Sequence, residues 1–239
     1  MSTLFISDLH LEDSRSDISG WMLEFLAGPA RSAEALYILG DLFEYWIGDD
    51  ALSPTAKALA EHTAALAEGG LKIFFQHGNR DFLLGESYAA AAGLELLPEY
   101  HVADLYGRPT LLLHGDSLCT DDTEYQAFRK QSRNTQWQAA VLAMSVPERI
   151  AMAKGAREAS AEHKDASSME IMDVNNDAVL KAFTEHGVTR MIHGHTHRPA
   201  VHLHSLPDGS KATRYVLSDW YEAGSYLEVT AEGIASRPV

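Results

Sequence analysis

Five short segments of this chain each join an apolar run to side chains that bind cations or move protons. Asp8-Leu9-His10 follows LFIS, Gly40-Asp41 follows ALYIL, and His77-Gly78-Asn79-Arg80-Asp81 follows LKIFFQ. His114-Gly115-Asp116 follows PTLLL, and His193-Gly194-His195-Thr196-His197 follows TRMI. They supply seven donors: Asp8, His10, Asp41, Asn79, His114, His195 and His197. These offer oxygen and imidazole nitrogen only, a set that suits Mn, Fe or Zn and disfavours copper(I). Seven donors exceed what one tetrahedral ion needs. They suit two ions sharing one carboxylate, about 3.5–4 Å apart, which can clamp a phosphoryl group and generate hydroxide at neutral pH. Each segment alone is weak, because an Asp or His after a strand is commonly a cap, a turn former or a structural residue. All five in order point to a dimetal site.

The elements that must hold these residues can be read from periodicity. Residues 4–7, 35–39, 71–76 and 188–193 read as strands, 101–105 and 109–113 as a hairpin-like pair around Gly107. Helical spacing covers 16–27, with Ile18, Met22, Phe25 and Leu26 on one face. A second helix opens on Ser53-Pro54 and closes at Gly69-Gly70; a short Ala-rich one spans 86–92, and another runs over 175–186 to Gly187. The tail reads as antiparallel strands with turns at 207–210 and 232–233. Sites in open α/β sheets lie at the carboxyl ends of strands, so the five loops can converge. Residues 124–172 read as helices only and are taken as an insertion.

Bulk properties narrow the function. The chain has 239 residues and a formal charge of −15, which disfavours general nucleic-acid binding. One cysteine, Cys119, excludes an intrachain disulfide and a thiolate-rich zinc site. The N-terminus has no basic start, and no run reaches membrane-spanning length. The cytosol, or a cytosolic membrane face, is the expected compartment.

The motifs D-x-H, G-D, G-N-R-D, H-G-D and G-H-x-H, in this order, resemble those of the calcineurin-like metallophosphoesterases. The match spans residues 1–122 and 188–239. It implies an α/β (α+β) fold: a two-sheet β-sandwich flanked by helices, here one domain over 1–239 with a helical cap inserted at 124–172. The strings FISDLHL, GDLFEYWIGDD, GNRDFL, HGDSLCTDD and HGHTHRP resemble, within that family, the pyrophosphatases of lipid A biosynthesis. The resemblance implies two Mn²⁺ ions, one held by Asp8, His10, Asp41 and His197, the other by Asp41, Asn79, His114 and His195. Asp41 would bridge, and His195 and His197 would face different ions, with His193 a supporting residue. The implied reaction is attack of metal-bound hydroxide on the α-phosphorus of UDP-2,3-diacylglucosamine, giving UMP and 2,3-diacylglucosamine 1-phosphate. Asp41, Asn79, Arg80 and His195 are the implied catalytic residues. The implied substrate contacts are Asn79, Arg80, Asp122, Ser160, Lys164, Ser167 and His195, with Tyr125 and Arg157 as further candidates. The enzyme is expected to be a peripheral protein of the cytoplasmic face of the inner membrane, with no obligate protein partner.

Arg80 and the insertion carry separate arguments. Arginine does not give up its proton, so it suits a leaving phosphate whose charge needs stabilising rather than an alkoxide that needs protonation. The plainer reading is that Arg80 pairs with Asp81. Residues 125–170 hold seven Lys/Arg and five Asp/Glu, which reads as a cationic lid or as solvated helix faces. Trp137, Val141, Leu142 and Ile150, with Met144, Met152, Met169 and Met172, are expected to line an adaptable apolar groove for acyl chains. The alternative is a metallophosphoesterase acting on a soluble nucleotide pyrophosphate or phosphodiester.

Overall fold

A computed structural model describes the backbone of residues 1–166 and 173–239 and the side chains of 1–158 and 173–239. The chain opens with β1 (Thr3–Ile6), α1 (Ser16–Ala27), β2 (Ala35–Leu39), α2 (Pro54–Glu68), β3 (Lys72–Gln76), α3 (Glu86–Ala92) and β4 (Leu94–Leu96). It continues with β5 (His101–Asp104), β6 (Pro109–Leu112), α4 (Thr123–Ser132), α5 (Thr135–Leu142) and α6 (Val146–Ala166). It closes with α7 (Asn176–His186), β7 (Arg190–His193), β8 (Ala200–Ser205), β9 (Lys211–Val216), β10 (Ser225–Val229) and β11 (Ile234–Pro238).

The strands form two sheets, ordered β11-β10-β1-β2-β3-β4 and β5-β6-β7-β9-β8. In the first, β1 to β4 run parallel, and β10 lies antiparallel to β1 with Leu4 opposite Glu228. In the second, β6, β7 and β9 run parallel, and β5 and β8 are antiparallel edges. Alternation along each strand sets the layers. Phe5, Tyr37, Leu112, Ile192 and Leu227 fill the space between the sheets. Leu4, Ile6, Leu36, Ile38 and Phe75 turn outward against Ile18, Phe25, Leu59 and Tyr88 of α1 to α3. Leu111 and Met191 meet Val179 and Phe183 of α7 on the opposite outer face. Both faces of the central strands are covered, which is why they read as unbroken apolar runs.

Local signals fix the boundaries. Ser53 Oγ accepts the Ala56 N–H, with Pro54 in the first turn of α2. Asn175 accepts the N–H groups of Asp177 and Ala178, and Gly187, left-handed at φ 63°, ends α7. The expected first strand stops at Ile6, one residue early, and the expected strand from 188 begins at Arg190. The short strand β4 has no sequence expectation behind it: LEL follows the left-handed Gly93 and owes its pairing to β3.

Helices α4, α5 and α6 lie where the insertion is expected. Arg129 Nε donates to Asp116 Oδ2 (2.8 Å), Arg133 Nη2 to the Gly78 carbonyl (2.8 Å), and Arg149 Nη1 to Asp50 Oδ1 (2.7 Å). Arg157 Nε lies 3.1 Å from Glu44 Oε1. This corrects the reading of the insertion's charge. Three of its arginines, Arg129, Arg133 and Arg149, fasten helices to the sandwich through the chain's own acceptors, whereas Arg157 pairs with Glu44 while also lining a cavity.

Candidate metal centre

Donors arrive from both sheets. β1, β2 and β3 lead into Asp8, His10, Asp41 and Asn79; β6 and β7 lead into His114, His195 and His197. Asp8, His10, Asp41, His195 and His197 all adopt positive φ, between 50° and 69°. Such conformations are costly for non-glycine residues and persist only where surrounding structure enforces them. Enforcement comes from backbone bonds between neighbouring loops: Asp8 N to Gly40 O (3.1 Å) and His10 N to Asp41 O (3.0 Å). Glycine is required beside them, since a Cβ on Gly78 would fall on the Asp41 carboxylate and one on Gly194 on Asp8 and Ser7.

Two groups of ligand atoms result. Asp8, His10 and His197 converge, as do Asp8, Asp41 and His114. His10 Nε2 lies 3.4 Å from His197 Nε2, and His197 Nε2 lies 3.4 Å from Asp8 Oδ1. Asp41 stands between the groups, Oδ2 3.8 Å from His10 Nε2 and Oδ1 3.7 Å from His114 Nε2. Asn79 Oδ1 is 3.0 Å from His114 Nε2 and 2.8 Å from His195 Nδ1. The seven predicted donors are thus brought together, with His197 beside Asp8 and His10 and His195 beside Asn79 and His114.

The donor set fits divalent cations on this structure's own terms. His114 Nδ1 donates to the Leu39 carbonyl (2.8 Å), leaving the Nε2 lone pair of the neutral ring facing Asn79 Oδ1. His10 Nδ1 lies 2.8 Å from Glu44 Oε2, leaving Nε2 facing His197 Nε2. Asp8 Oδ1 is buried and accepts no hydrogen bond. Lone pairs aimed at one another are the condition that a cation relieves. The carboxylates give the cluster a negative field, which a divalent cation can take up in place of ring protons. Burial alone raises the Asp8 carboxyl, but His197, His114 and His10 hold it well below the usual range. Burial opposes charge on His10 and His114, yet the carboxylates around them, Glu44 for His10 and Asp41 for His114 foremost, raise both imidazoles.

His193 ends β7 fully buried and turns away from the donors, with Nδ1 against the Gly194 carbonyl (2.8 Å) and Nε2 accepting from Arg214 Nη1 (2.9 Å). Burial and the adjacent Arg214 push it down to about 3, so it is a neutral supporting ring. Asp81 accepts from Gly78 N (2.8 Å) and Leu42 N (2.7 Å), so its oxygens serve the loop backbones rather than Arg80.

Several residues of the site were given no role from sequence. Asp116 is buried behind His114 and takes Tyr125 Oη (2.7 Å) and Arg129 Nε; the Tyr125 ring stacks on His195 at 5.9 Å. Tyr221 stacks on His10 at 5.0 Å, and Asp219 Oδ2 lies 3.7 Å from His197 Nδ1. Asp116 and Glu44 stood within the quoted strings HGD and GDLFEYWIGDD, so position in the motif was the available signal.

A cavity of about 360 Å³ opens beside the donors, with Asn79 of the donor set and the neighbouring Arg80 and Tyr125 in its lining. Trp46, Phe82, Phe128, Trp137, Val141 and Met152 supply its apolar wall. This corrects the groove expectation in part. Leu142, Met144 and Ile150 are exposed, Met169 and Met172 lie outside the described residues, and aromatic rings rather than methionines dominate. Arg80 and Arg157 line the cavity, whereas Asp122 caps α4 by accepting Tyr125 N (2.9 Å). The side chains of Ser160, Lys164 and Ser167 lie outside the described residues.

Residues 1–199 match the family model for calcineurin-like phosphoesterases. The chain belongs to that family. Within this phosphoesterase family it is 54% identical over 241 residues to a Stenotrophomonas maltophilia protein named UDP-2,3-diacylglucosamine hydrolase, covering 98% of this chain and 96% of that one. A Xanthomonas oryzae protein of the same name is 52% identical, covering 98% of each. Among solved structures, zinc-complexed Vps29 from Entamoeba histolytica superposes with a TM-score of 0.43 at 13% identity, over 100% of this chain and 98% of that one. The phosphoesterase is therefore a metal-dependent hydrolase with a sandwich fold and a dimetal centre.

Proposed function

We propose that the enzyme hydrolyses the pyrophosphate of UDP-2,3-diacylglucosamine at the α-phosphorus, yielding UMP and 2,3-diacylglucosamine 1-phosphate for lipid A biosynthesis. The observation that carries this reading is the aromatic-walled cavity adjoining the donor cluster. A soluble nucleotide pyrophosphate could stack only its base there, whereas an acylated sugar can bury its chains along the whole wall. The relatives named UDP-2,3-diacylglucosamine hydrolase support the same substrate.

The ions proposed are two Mn²⁺, one held by Asp8, His10, Asp41 and His197, the other by Asp41, Asn79, His114 and His195. Bound there, two divalent ions would supply Lewis-acid charge and lower the pKa of a water near the phosphorus. The protein's own groups do the rest. Asn79 and His195 place the phosphate over the centre. Arg80, whose Nε is buried without a hydrogen-bond partner, faces the cavity and stabilises the charge gathering on the departing sugar phosphate. Tyr125 and Arg157 contact the sugar side, and Asp122, Ser160, Lys164 and Ser167 complete the proposed contacts.

We also propose one domain over 1–239, with 124–172 as its inserted cap. The protein binds the cytoplasmic face of the inner membrane peripherally, where its substrate resides, with exposed Phe128, Leu142, Met144 and Ile150 on the cap side. No described helix is long and apolar enough to cross a membrane.

The test is to strip metals with a chelator, restore Mn²⁺, and compare UMP release from UDP-2,3-diacylglucosamine with release from an unacylated UDP-sugar. Strong preference for the acylated substrate is expected. Equal rates would replace this reading with a hydrolase of soluble nucleotide pyrophosphates or phosphodiesters.

A further inference from the structure

Glu44 sits between the donor cluster and the cap with both oxygens engaged. Oε2 lies 2.8 Å from His10 Nδ1, and Oε1 lies 3.1 Å from Arg157 Nε on α6. The contact to His10 is nearly dry: the His10 side chain is 3% exposed and that of Glu44 12%. Glu44 is also held by its backbone, its N–H donating to Leu11 O (3.1 Å), beside the bridge that joins Leu11 to Phe43. Arg157 reaches Glu44 from the cavity lining, with its guanidinium over the Tyr45 ring at 5.7 Å.

We infer that Glu44 is a positioning residue for the first metal, and that Arg157 makes this hold depend on the placement of the cap helix. The inference rests on the proposed reading that Asp8, His10, Asp41 and His197 hold an ion. A carboxylate on Nδ1 fixes the imidazole tautomer, so that Nε2 presents its lone pair and cannot rotate away. Arg157 in turn fixes the carboxylate: with Oε1 drawn to the guanidinium, Oε2 stays on the ring. A substrate group that draws Arg157 toward the cavity therefore acts on His10 through a single intervening side chain. The cap and the metal centre are coupled by that chain of three residues, a two-way relation in which metal binding also steadies α6.

The experiment is calorimetric titration of metal-free protein with Mn²⁺, without substrate. Wild type is expected to show two binding steps. Glu44→Ala should weaken one step by about ten- to a hundredfold and leave the other unchanged, the range typical of lost ligand-orienting contacts. Glu44→Gln, which keeps one acceptor for Nδ1–H but turns an amide NH2 toward Arg157, should lose about as little as Arg157→Ala and clearly less than Glu44→Ala. Arg157→Ala should weaken the same step by a smaller factor, and the double variant should be no weaker than Glu44→Ala. If Glu44→Ala does not fold, Glu44→Gln and Arg157→Ala carry the test by themselves.

Unchanged steps in Glu44→Ala would overturn the inference. So would equal losses in Glu44→Ala and Glu44→Gln, or an Arg157→Ala loss that recurs in full on the Glu44→Ala background. A stoichiometry below two Mn²⁺ per chain in wild type would sink the dimetal assignment, and this inference with it.

Discussion

Asp41 turns Oδ1 toward His114 at 3.7 Å, and its other oxygen faces the ring of His10. A residue divided in this way serves both halves of the centre. Asp41→Asn should therefore drop bound Mn²⁺ below two per chain and reduce turnover by about 10³-fold or more, since each ion is worth several kcal/mol at a developing phosphoryl charge. Elemental analysis of the purified variant and a UMP-release assay check the two parts separately.

Arg80 should act on kcat rather than KM. Removing a donor aimed at developing charge costs about 10²–10³-fold, and Arg80→Ala should show that loss with KM nearly unchanged. Arg80→His should not restore it at pH 8, where the ring is mostly neutral. Full activity in Arg80→His would refute the leaving-group argument.

The cavity wall makes a separate prediction. Ala153→Trp adds an indole to the cavity lining that Ala153 shares with Val141 and Met152. It should lower kcat/KM for the acylated substrate by about tenfold, the scale of 1–2 kcal/mol of overpacking, and leave slow turnover of an unacylated UDP-sugar unaltered. Parallel assays on the two substrates decide it.

His193 predicts how stability responds to acid. Its pKa is lowered to about 3, from an ordinary value near 6.5, by burial and Arg214. Below pH 6.5 the unfolded ring takes up a proton that the folded ring refuses, so stability falls as pH drops through this window. Between pH 7 and 5 the loss from this group is about 2 kcal/mol. Urea midpoints of wild type and His193→Asn at both pH values should show a smaller acid shift in the variant.

Cys119 is 2% exposed, and burial pushes its thiol up to about 12. Native protein at pH 8 should react with a thiol reagent only on unfolding, because the thiolate is the reactive form.

Much of this site was legible because its chemistry is local in sequence. Each donor follows an apolar strand by a few residues, so LFIS and ALYIL announced Asp8 and Asp41 without any knowledge of the sheets. The separation of His193 from His195 and His197 was legible too, since Gly194 interrupts the alternation. What escaped depends on contacts between distant segments. Nothing local marks Glu44 as the partner of both His10 and Arg157, residues 34 positions before and 113 after it. The partners of Arg129, Arg133 and Arg149 were equally hidden, so counting their charges suggested a lid where the fold uses them as fasteners. Exposure of Leu142, Met144 and Ile150 was hidden for the same reason: which face of a short helix meets the sandwich is decided by its docking, and its own apolar pattern does not say.

The split of donors between two sheets also bears on how the centre is made. Asp8, His10, Asp41 and Asn79 precede His195 and His197 by more than a hundred positions, so they leave the ribosome first. A nascent chain therefore carries acidic and imidazole groups with no complete coordination sphere, and neither ion can be trapped in full until the second sheet closes on the first. A complete coordination sphere therefore needs both sheets folded against each other, and neither half of the chain supplies it by itself.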